Sequence, residues 1–311
     1  MTVLLTYQSS FHAPVLAREV VQMFRDARHV LDCTLGGGGH AQALLENGAD
    51  VTGVDRDPEA IRAATARLVD YAATGRFRAY LTNYAQIAES ELTDSSFDGI
   101  LLDLGVSSHQ LDDATRGFSF RPGAPLDMRM GVGSASDAAG LLNDADESTL
   151  AFIFREYADE RRALRLAREI VHRRVAKPFA LSDDLVNAIR AALGSSAGPH
   201  DFARLFQAVR IEVNDELAGL ERALPELRDR LVAGGTLVVI AYHSGEDRIV
   251  KNAFRSWSAD CVCQPKQPVC TCRGHSLGST ITRRPVTASE EETARNVRAR
   301  SARLRAWRRA A

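Results

Sequence analysis

Apolar residues in the first hundred positions fall into short runs separated by helical stripes. Val30-Leu31-Asp32, Asp50–Asp55, Phe77–Leu81 and Gly99–Leu102 each read as a short buried strand. His40–Glu46 reads as a helix. So does Glu59–Tyr71, where Ile61, Ala64, Leu68 and Tyr71 share one stripe and Pro58 suits the first turn. Strands alternating with helices predict a mostly parallel, doubly wound α/β sheet. From about 136 to 193 the rhythm becomes purely helical. Asp146-Glu147-Ser148 opens one helix, and Asp159–Arg174 forms another with Leu164, Ala167, Ile170 and Val171 on its apolar face. Lys177-Pro178 ends that helix, and Ser182-Asp183-Asp184 caps the next. The α/β pattern returns with a long helix over Asn214–Leu231, a turn at Ala233-Gly234-Gly235 and a buried strand over Thr236–Ala241. This organisation predicts a sheet domain in two parts, 1–112 and 213–311, around a helical insertion at 113–212. No internal repeat is visible.

Composition narrows the picture. The chain has 311 residues, is 45% hydrophobic and carries a formal net charge of −1. That is enough for a sizeable core, and it rules out a molecule that is basic throughout. The exception is the tail. Residues 283–309 hold nine Arg against three Glu, a local balance of +6 by that count. A basic run of this kind suits RNA phosphates, although a solvated basic helix has the same composition. No apolar run is long enough to span a membrane, no export signal is read at Met1–Ser10, and five Cys do not make a disulfide scaffold. The expectation is a cytoplasmic protein without a membrane partner. A homodimer is allowed by the sequence, and no residue selects it.

The candidate chemistry lies where strands end, because open α/β sheets bind ligands outside the carboxyl ends of their strands. Asp32-Cys33-Thr34-Leu35-Gly36-Gly37-Gly38-Gly39-His40 leaves a strand through a glycine turn and enters a helix. Asp55 ends the next strand, where a carboxylate accepts hydrogen bonds from ribose hydroxyls. The spacing Gly36-x-Gly38-x-x-Ala41 fits a dinucleotide fingerprint and equally an S-adenosylmethionine loop. Asp103 favours the second reading. Asp103, Ser107, Ser108 and Gln110 offer acceptors and an amide suited to an exocyclic amine and a cofactor edge. The chain contains no Tyr-x-x-x-Lys pair for hydride transfer, Tyr157-x-x-x-Arg161 being the nearest. Local capping would also explain Ser107-Ser108. His243, after the late strand, reads either as a proton acceptor or as a structural histidine, and Glu246 and Asp247 as helix-start acids. Arg204, Arg210 and Asn214 form a mixed patch near Phe202 and Phe206, which an ordinary helix with one solvated face would also produce.

Cys261-x-Cys263 and Cys270-x-Cys272 could make a zinc site, but their spacing is tighter than the usual ligand pairs. They are read here as reduced thiols, and no metal is assigned.

At these residues the chain resembles the MraW family, the bacterial small-subunit ribosomal RNA methyltransferases of the H group. The resemblance rests on His12-x-Pro14-Val15-Leu16, the Asp32–His40 loop, Asp55-Arg56-Asp57 and the whole of 98–130. It continues through Phe206–Ile211, His243–Lys251 and the Arg-Ala-Arg-Ser tail. It implies a Rossmann-like methyltransferase that uses S-adenosylmethionine to methylate N4 of a cytidine in the decoding region of 16S rRNA, with the helical insertion recognising the substrate. It also implies cofactor positions at Gly38, Gly39, His40, Asp55, Tyr84, Asp103 and Gln110. From the residues themselves, the target amine is expected beside Asp103, Ser107 and Ser108, with His243 as a candidate helper. The chain departs from the family pattern at Ala241-Tyr242, where Ser-Phe is expected, at Gly245, and across His200–Phe206. Two alternatives remain at this point: an NAD-dependent dehydrogenase, and an RNA-binding or ribosome-assembly factor without catalysis.

Overall fold

The computed structural model describes residues 14–92, 96–264, 267 and 269–311, apart from the Ser108 side chain. His12 lies outside that set. By contact the chain divides into two units, one formed by 1–105 and 217–311, the other by 106–216. These divisions lie a few residues from those drawn on the sequence.

The first unit is built on seven strands: β1 (His29–Asp32), β2 (Asp50–Asp55), β3 (Phe77–Leu81), β4 (Phe97–Asp103), β5 (Leu231–Ala241), β6 (Gly278–Thr280) and β7 (Arg303–Arg309). Their order is β3-β2-β1-β4-β5-β7-β6. The first five pair in parallel, and β7 runs antiparallel to both β5 and β6. Val30, Leu31, Val54, Ile100, Leu101, Leu102 and Leu237–Ile240 are buried because both sheet faces are covered. Helices α1 (Ala17–Met23), α2 (Gly39–Glu46), α3 (Pro58–Arg67) and α4 (Val69–Ala73) belong to the first half of this unit. The single helix expected over 59–71 is broken at Leu68, whose ψ of 22° leaves helical geometry.

The second unit is helical: α5 (Ser108–Asp112), α6 (Ala138–Asp144), α7 (Glu147–Ala158), α8 (Ala163–Ala176), α9 (Ser182–Leu193) and α10 (Pro199–Val213). Its core gathers Leu150, Phe154, Leu166, Ile170, Leu185, Ile189, Leu205 and Val209. The helix expected from Asp159 starts later. Asp159 takes φ 49°, and Glu160 N–H closes back on Phe154 O at 3.1 Å, so these residues end α7 instead. Asn214, expected at the start of a helix, is 2% exposed and ties down the 128–134 loop. Its side chain accepts from Met130 N–H and donates to Met128 O, at 2.8 and 2.7 Å.

The chain returns to the sheet through α11 (Glu216–Asp229), followed by β5, α12 (Ser244–Ser258) and α13 (Glu290–Arg295). One sequence expectation fails here, and one alternative reading is excluded. The turn at 233–235 lies inside β5, whose pairing with β4 carries an irregularity between Phe97 and Gly99. The basic tail is not a solvated helix at its end. Residues 303–309 are β7, with Leu304, Ala306 and Trp307 fully buried. Arg305 is buried too, and its guanidinium binds both carboxylate oxygens of Asp247 at 2.6 and 3.1 Å. The alternation Arg303-Leu304-Arg305-Ala306 is the strand signal in that segment.

Candidate cofactor and catalytic site

The strand order reverses between β1 and β4, and such a reversal opens a crevice at the strands' carboxyl ends. Three parallel strands, β1, β2 and β4, end on an aspartate: Asp32, Asp55 and Asp103. After β1 the backbone turns through Gly36 and Gly38, with φ of 51° and 76°, and enters α2. A Cβ on Gly38 would lie 3.1 Å from Leu68 Cδ1 and 3.3 Å from Ala64 Cβ, so this turn requires a residue without one.

Asp55 braces the turn. Its Oδ2 accepts from Gly36 N–H and its Oδ1 from Asp57 N–H, both at 2.8 Å. Burial pushes its pKa up to about 6, against the opposing pull of those two N–H groups. Each carboxylate oxygen keeps a lone pair for a ligand hydroxyl. Asp32 is 1% exposed. Its Oδ1 accepts from Thr34 N–H at 3.1 Å, while Oδ2 has no hydrogen-bond partner among the described residues. Burial raises its pKa to about 6 as well.

Asp103 is the hub. Its backbone N–H donates to Thr34 Oγ1 at 2.6 Å, which ties β4 to the glycine turn. Oδ2 lies 3.2 Å from His40 Nε2, and Oδ1 accepts from the Tyr242 hydroxyl at 2.8 Å. Burial would lower the His40 pKa. The hydrogen bond and charge of Asp103, with the charges of Asp32 and Glu292, outweigh it and hold the imidazole above its ordinary value. His40 Nδ1 is buried with no hydrogen-bond partner among the described residues. Burial, reinforced by Asp103, keeps Tyr242 a phenol. Tyr242 appeared in the sequence only as a substitution within a motif, and its link to Asp103 spans 139 positions. The signal available was its place directly after a strand.

His243 follows Tyr242. Glu246 accepts from both backbone N–H groups, at 2.8 and 3.2 Å, and so fixes the entry to α12. His243 Nε2 lies 3.2 Å from Glu246 Oε1 but without hydrogen-bond geometry. Tyr84 is half-buried at the start of a kinked 3-10 helix, Tyr84–Glu89, that follows β3 and is opened by Asn83.

Within the helical unit, Ser107 and Gln110 cap each other at the start of α5. Gln110 N–H donates to Ser107 Oγ at 3.2 Å, and Ser107 N–H to Gln110 Oε1 at 3.0 Å. The Ser108 side chain lies outside the described residues. Arg204 pairs with Glu160 and Arg210 with Glu216, so the mixed patch read near Phe202 is a set of structural ion pairs. Cys261, Cys263, Cys270 and Cys272, read as separate thiols, converge: their Sγ atoms all lie within 4.8 Å of one another.

The site fits S-adenosylmethionine. Gly36–Gly39 would cradle the amino-acid end, Asp55 would take the ribose hydroxyls, and Asp32 Oδ2 and His40 Nδ1 are buried polar atoms with no hydrogen-bond partner among the described residues. The glycine turn after β1 and the strand-end aspartates Asp32, Asp55 and Asp103 define, in class, an S-adenosylmethionine-dependent methyltransferase of Rossmann-like fold. It belongs to the MraW methylase family, whose model matches residues 9–310. The chain is 65% identical to a protein named ribosomal RNA small subunit methyltransferase H from Gemmatimonas aurantiaca, over 96% of this chain and 95% of that one. It is 46% identical to a protein of the same name from Heliobacterium modesticaldum, over 95% of this chain and 97% of the other. A relative from Geotalea uraniireducens, also of that name, is 47% identical over 95% and 97%. Among the described residues, no helix is long and apolar enough to cross a membrane.

Proposed function

We propose that this methyltransferase acts on RNA of the small ribosomal subunit, at N4 of a cytidine in the decoding region of 16S rRNA. The observation that carries the reading is the 65% identity over nearly the whole of both chains with a protein named for that subunit's RNA. Arg283, Arg284, Arg298 and Arg300 are exposed and suit phosphate contacts, whereas Arg305 is committed to the fold.

S-adenosylmethionine supplies an electrophilic methyl on a sulfonium. An exocyclic amine of cytosine is a weak nucleophile because its lone pair is delocalised into the ring. What the protein adds is orientation, with an acceptor for the N–H proton. The C–N bond forms as the C–S bond breaks, and the amine gives up one proton. Asp103 is the residue suited to orient that amine, because His40 and Tyr242 fix the position of its carboxylate at the end of β4. Ser107, Ser108 and His243 are further candidates beside the amine, and Gly38, Gly39, His40, Asp55, Tyr84 and Gln110 for the cofactor. The helical unit is the candidate for substrate recognition, and a flipped-out base is the state such an edge accepts.

The test is transfer of labelled methyl to small subunits from cells lacking this protein, with nucleoside mass spectrometry of the product. N4-methylcytidine at one site is expected. Cofactor binding without transfer to any small-subunit RNA would replace this reading with that of a binding or assembly factor.

A further inference from the structure

The segment 259–277, which connects α12 to β6, has no apolar core of its own. Among the described residues, none between Trp257 and Thr282 is buried. Its base is closed by polar contacts: Leu277 N–H to Trp257 O at 2.8 Å, Arg273 to Ala259 O at 2.9 Å, and Ser276 N–H to Asp260 at 3.2 Å. Beyond that base Gln267 donates to Val269 O and Thr271 Oγ1, at 3.0 and 2.8 Å, and the four cysteines converge. Cys270 Sγ lies 3.5 Å from Cys272, 3.8 Å from Cys263 and 3.9 Å from Cys261, and Cys261–Cys272 is 3.8 Å.

These separations are far longer than a disulfide bond of ~2.05 Å. They match the edges of a tetrahedron around one ion: a Zn–S length of ~2.3 Å places tetrahedral sulfurs ~3.8 Å apart. The backbone supports the arrangement, since Val262 N–H donates to Cys272 Sγ at 3.3 Å, as outer-shell donors do for thiolate ligands. We propose that Cys261, Cys263, Cys270 and Cys272 bind one zinc ion as a closed tetrathiolate site that staples this loop. The two Cys-x-Cys pairs each supply two ligands and leave no position for water, which makes the site structural. Soft thiolates select zinc over magnesium or calcium. Binding converts four thiols to thiolates and releases their protons to solvent. The site is separate from the methyl-transfer edge and stands independently of which RNA is modified.

The test uses the full chain, purified with reductant and without chelator. Elemental analysis should find about one zinc per chain. Exchange for cobalt should produce the intense visible bands of a tetrahedral tetrathiolate. The double variant Cys270→Ser/Cys272→Ser should lose more than nine-tenths of the zinc and keep S-adenosylmethionine affinity within twofold by calorimetry. If that variant does not fold, metal content and the cobalt spectrum of the unaltered chain still decide. A metal-free chain with four freely reactive thiols, or an intact mass lowered by disulfide formation, would overturn the proposal.

Discussion

The helical unit and the binding edge of the sheet treat their carboxylates in opposite ways. In residues 106–216, every carboxylate with a displaced pKa is displaced downward. Thr115 hydroxyl and backbone bonds hold Asp113 down, the Arg129 guanidinium Asp127, Thr149 N–H Asp146, and Gly198 N–H Asp201. For Asp184, burial pushes upward and is outweighed by Lys177 and the Leu181 and Ala180 N–H groups. At the sheet edge, Asp32 and Asp55 are displaced upward by burial. A capping aspartate is satisfied locally and contributes to folding. The edge aspartates sit in a site shaped for something other than the protein itself, and that difference separates structure from function in this chain.

Substitutions at the two kinds of group should therefore have separable effects. The largest is expected at Asp103. Replacing it with Ala removes the shared partner of His40 and Tyr242, and single-turnover methyl transfer should fall by about 100-fold or more. A rate within fivefold of the unaltered enzyme would remove Asp103 from the reacting centre. Asn214→Ala is the counterpart in the helical unit. It deletes bonds to Met128, Met130 and Arg210, and chemical denaturation should show a loss of about 3 kcal/mol with cofactor affinity unchanged. A matching drop in affinity would mean that the contrast between the units is false.

Asp55→Ala comes next. Losing a charged acceptor costs about 1.5–3 kcal/mol, so calorimetry should read cofactor binding weakened by roughly 10- to 100-fold. Unchanged binding would move the ribose elsewhere. Gly117→Ala is smaller in reach. Gly117 has φ 73°, and a Cβ there would lie 2.4 Å from Pro125 O. Strain of about 1–3 kcal/mol should appear as faster hydrogen exchange in the 113–130 loop, with the sheet unit unaffected.

The pH dependence is the mildest test. Asp32 and Asp55 have folded pKa values above those of unfolded aspartate, so between pH 4 and about 6 the folded state binds more protons. Both groups therefore lower stability as pH rises through that window. His40, raised as well, stabilises below its unfolded pKa and loses that contribution as pH rises through the folded one. The three share a sign, and the cofactor-free protein should lose thermal stability from pH 5 to pH 8. Asp32→Asn should flatten the profile, and an unchanged slope would show that Asp32 is not titrating there. The depressed aspartates of the helical unit act below pH 4, where stability is lost on acidification.

Local chemistry made much of this readable in the sequence. Short apolar runs ending on Asp32, Asp55 and Asp103 announced parallel strands and their binding edge, and the glycine turn after β1 needs only its own residues to adopt positive φ. Asp146 capped its helix as its residue type requires. The end of the tail is a strand where composition alone allowed a solvated helix, and its alternation is what marks it. Ser107 was read both for chemistry and as a local cap, and the fold shows the cap, with Gln110 as its reciprocal partner.

Legible in the chain alone were the alternation of strand and helix through β4, the helical stretch that follows, and the acids at strand ends, since each depends on neighbours within a few positions. The tertiary structure decided which groups meet. Asp103 reaches His40 across 63 positions and Tyr242 across 139. The four thiols meet only because α12 and β6 fix the ends of their loop, and Arg305 turns inward only because β7 lies between β5 and β6. Such contacts depend on packing and strand register, which no local pattern encodes.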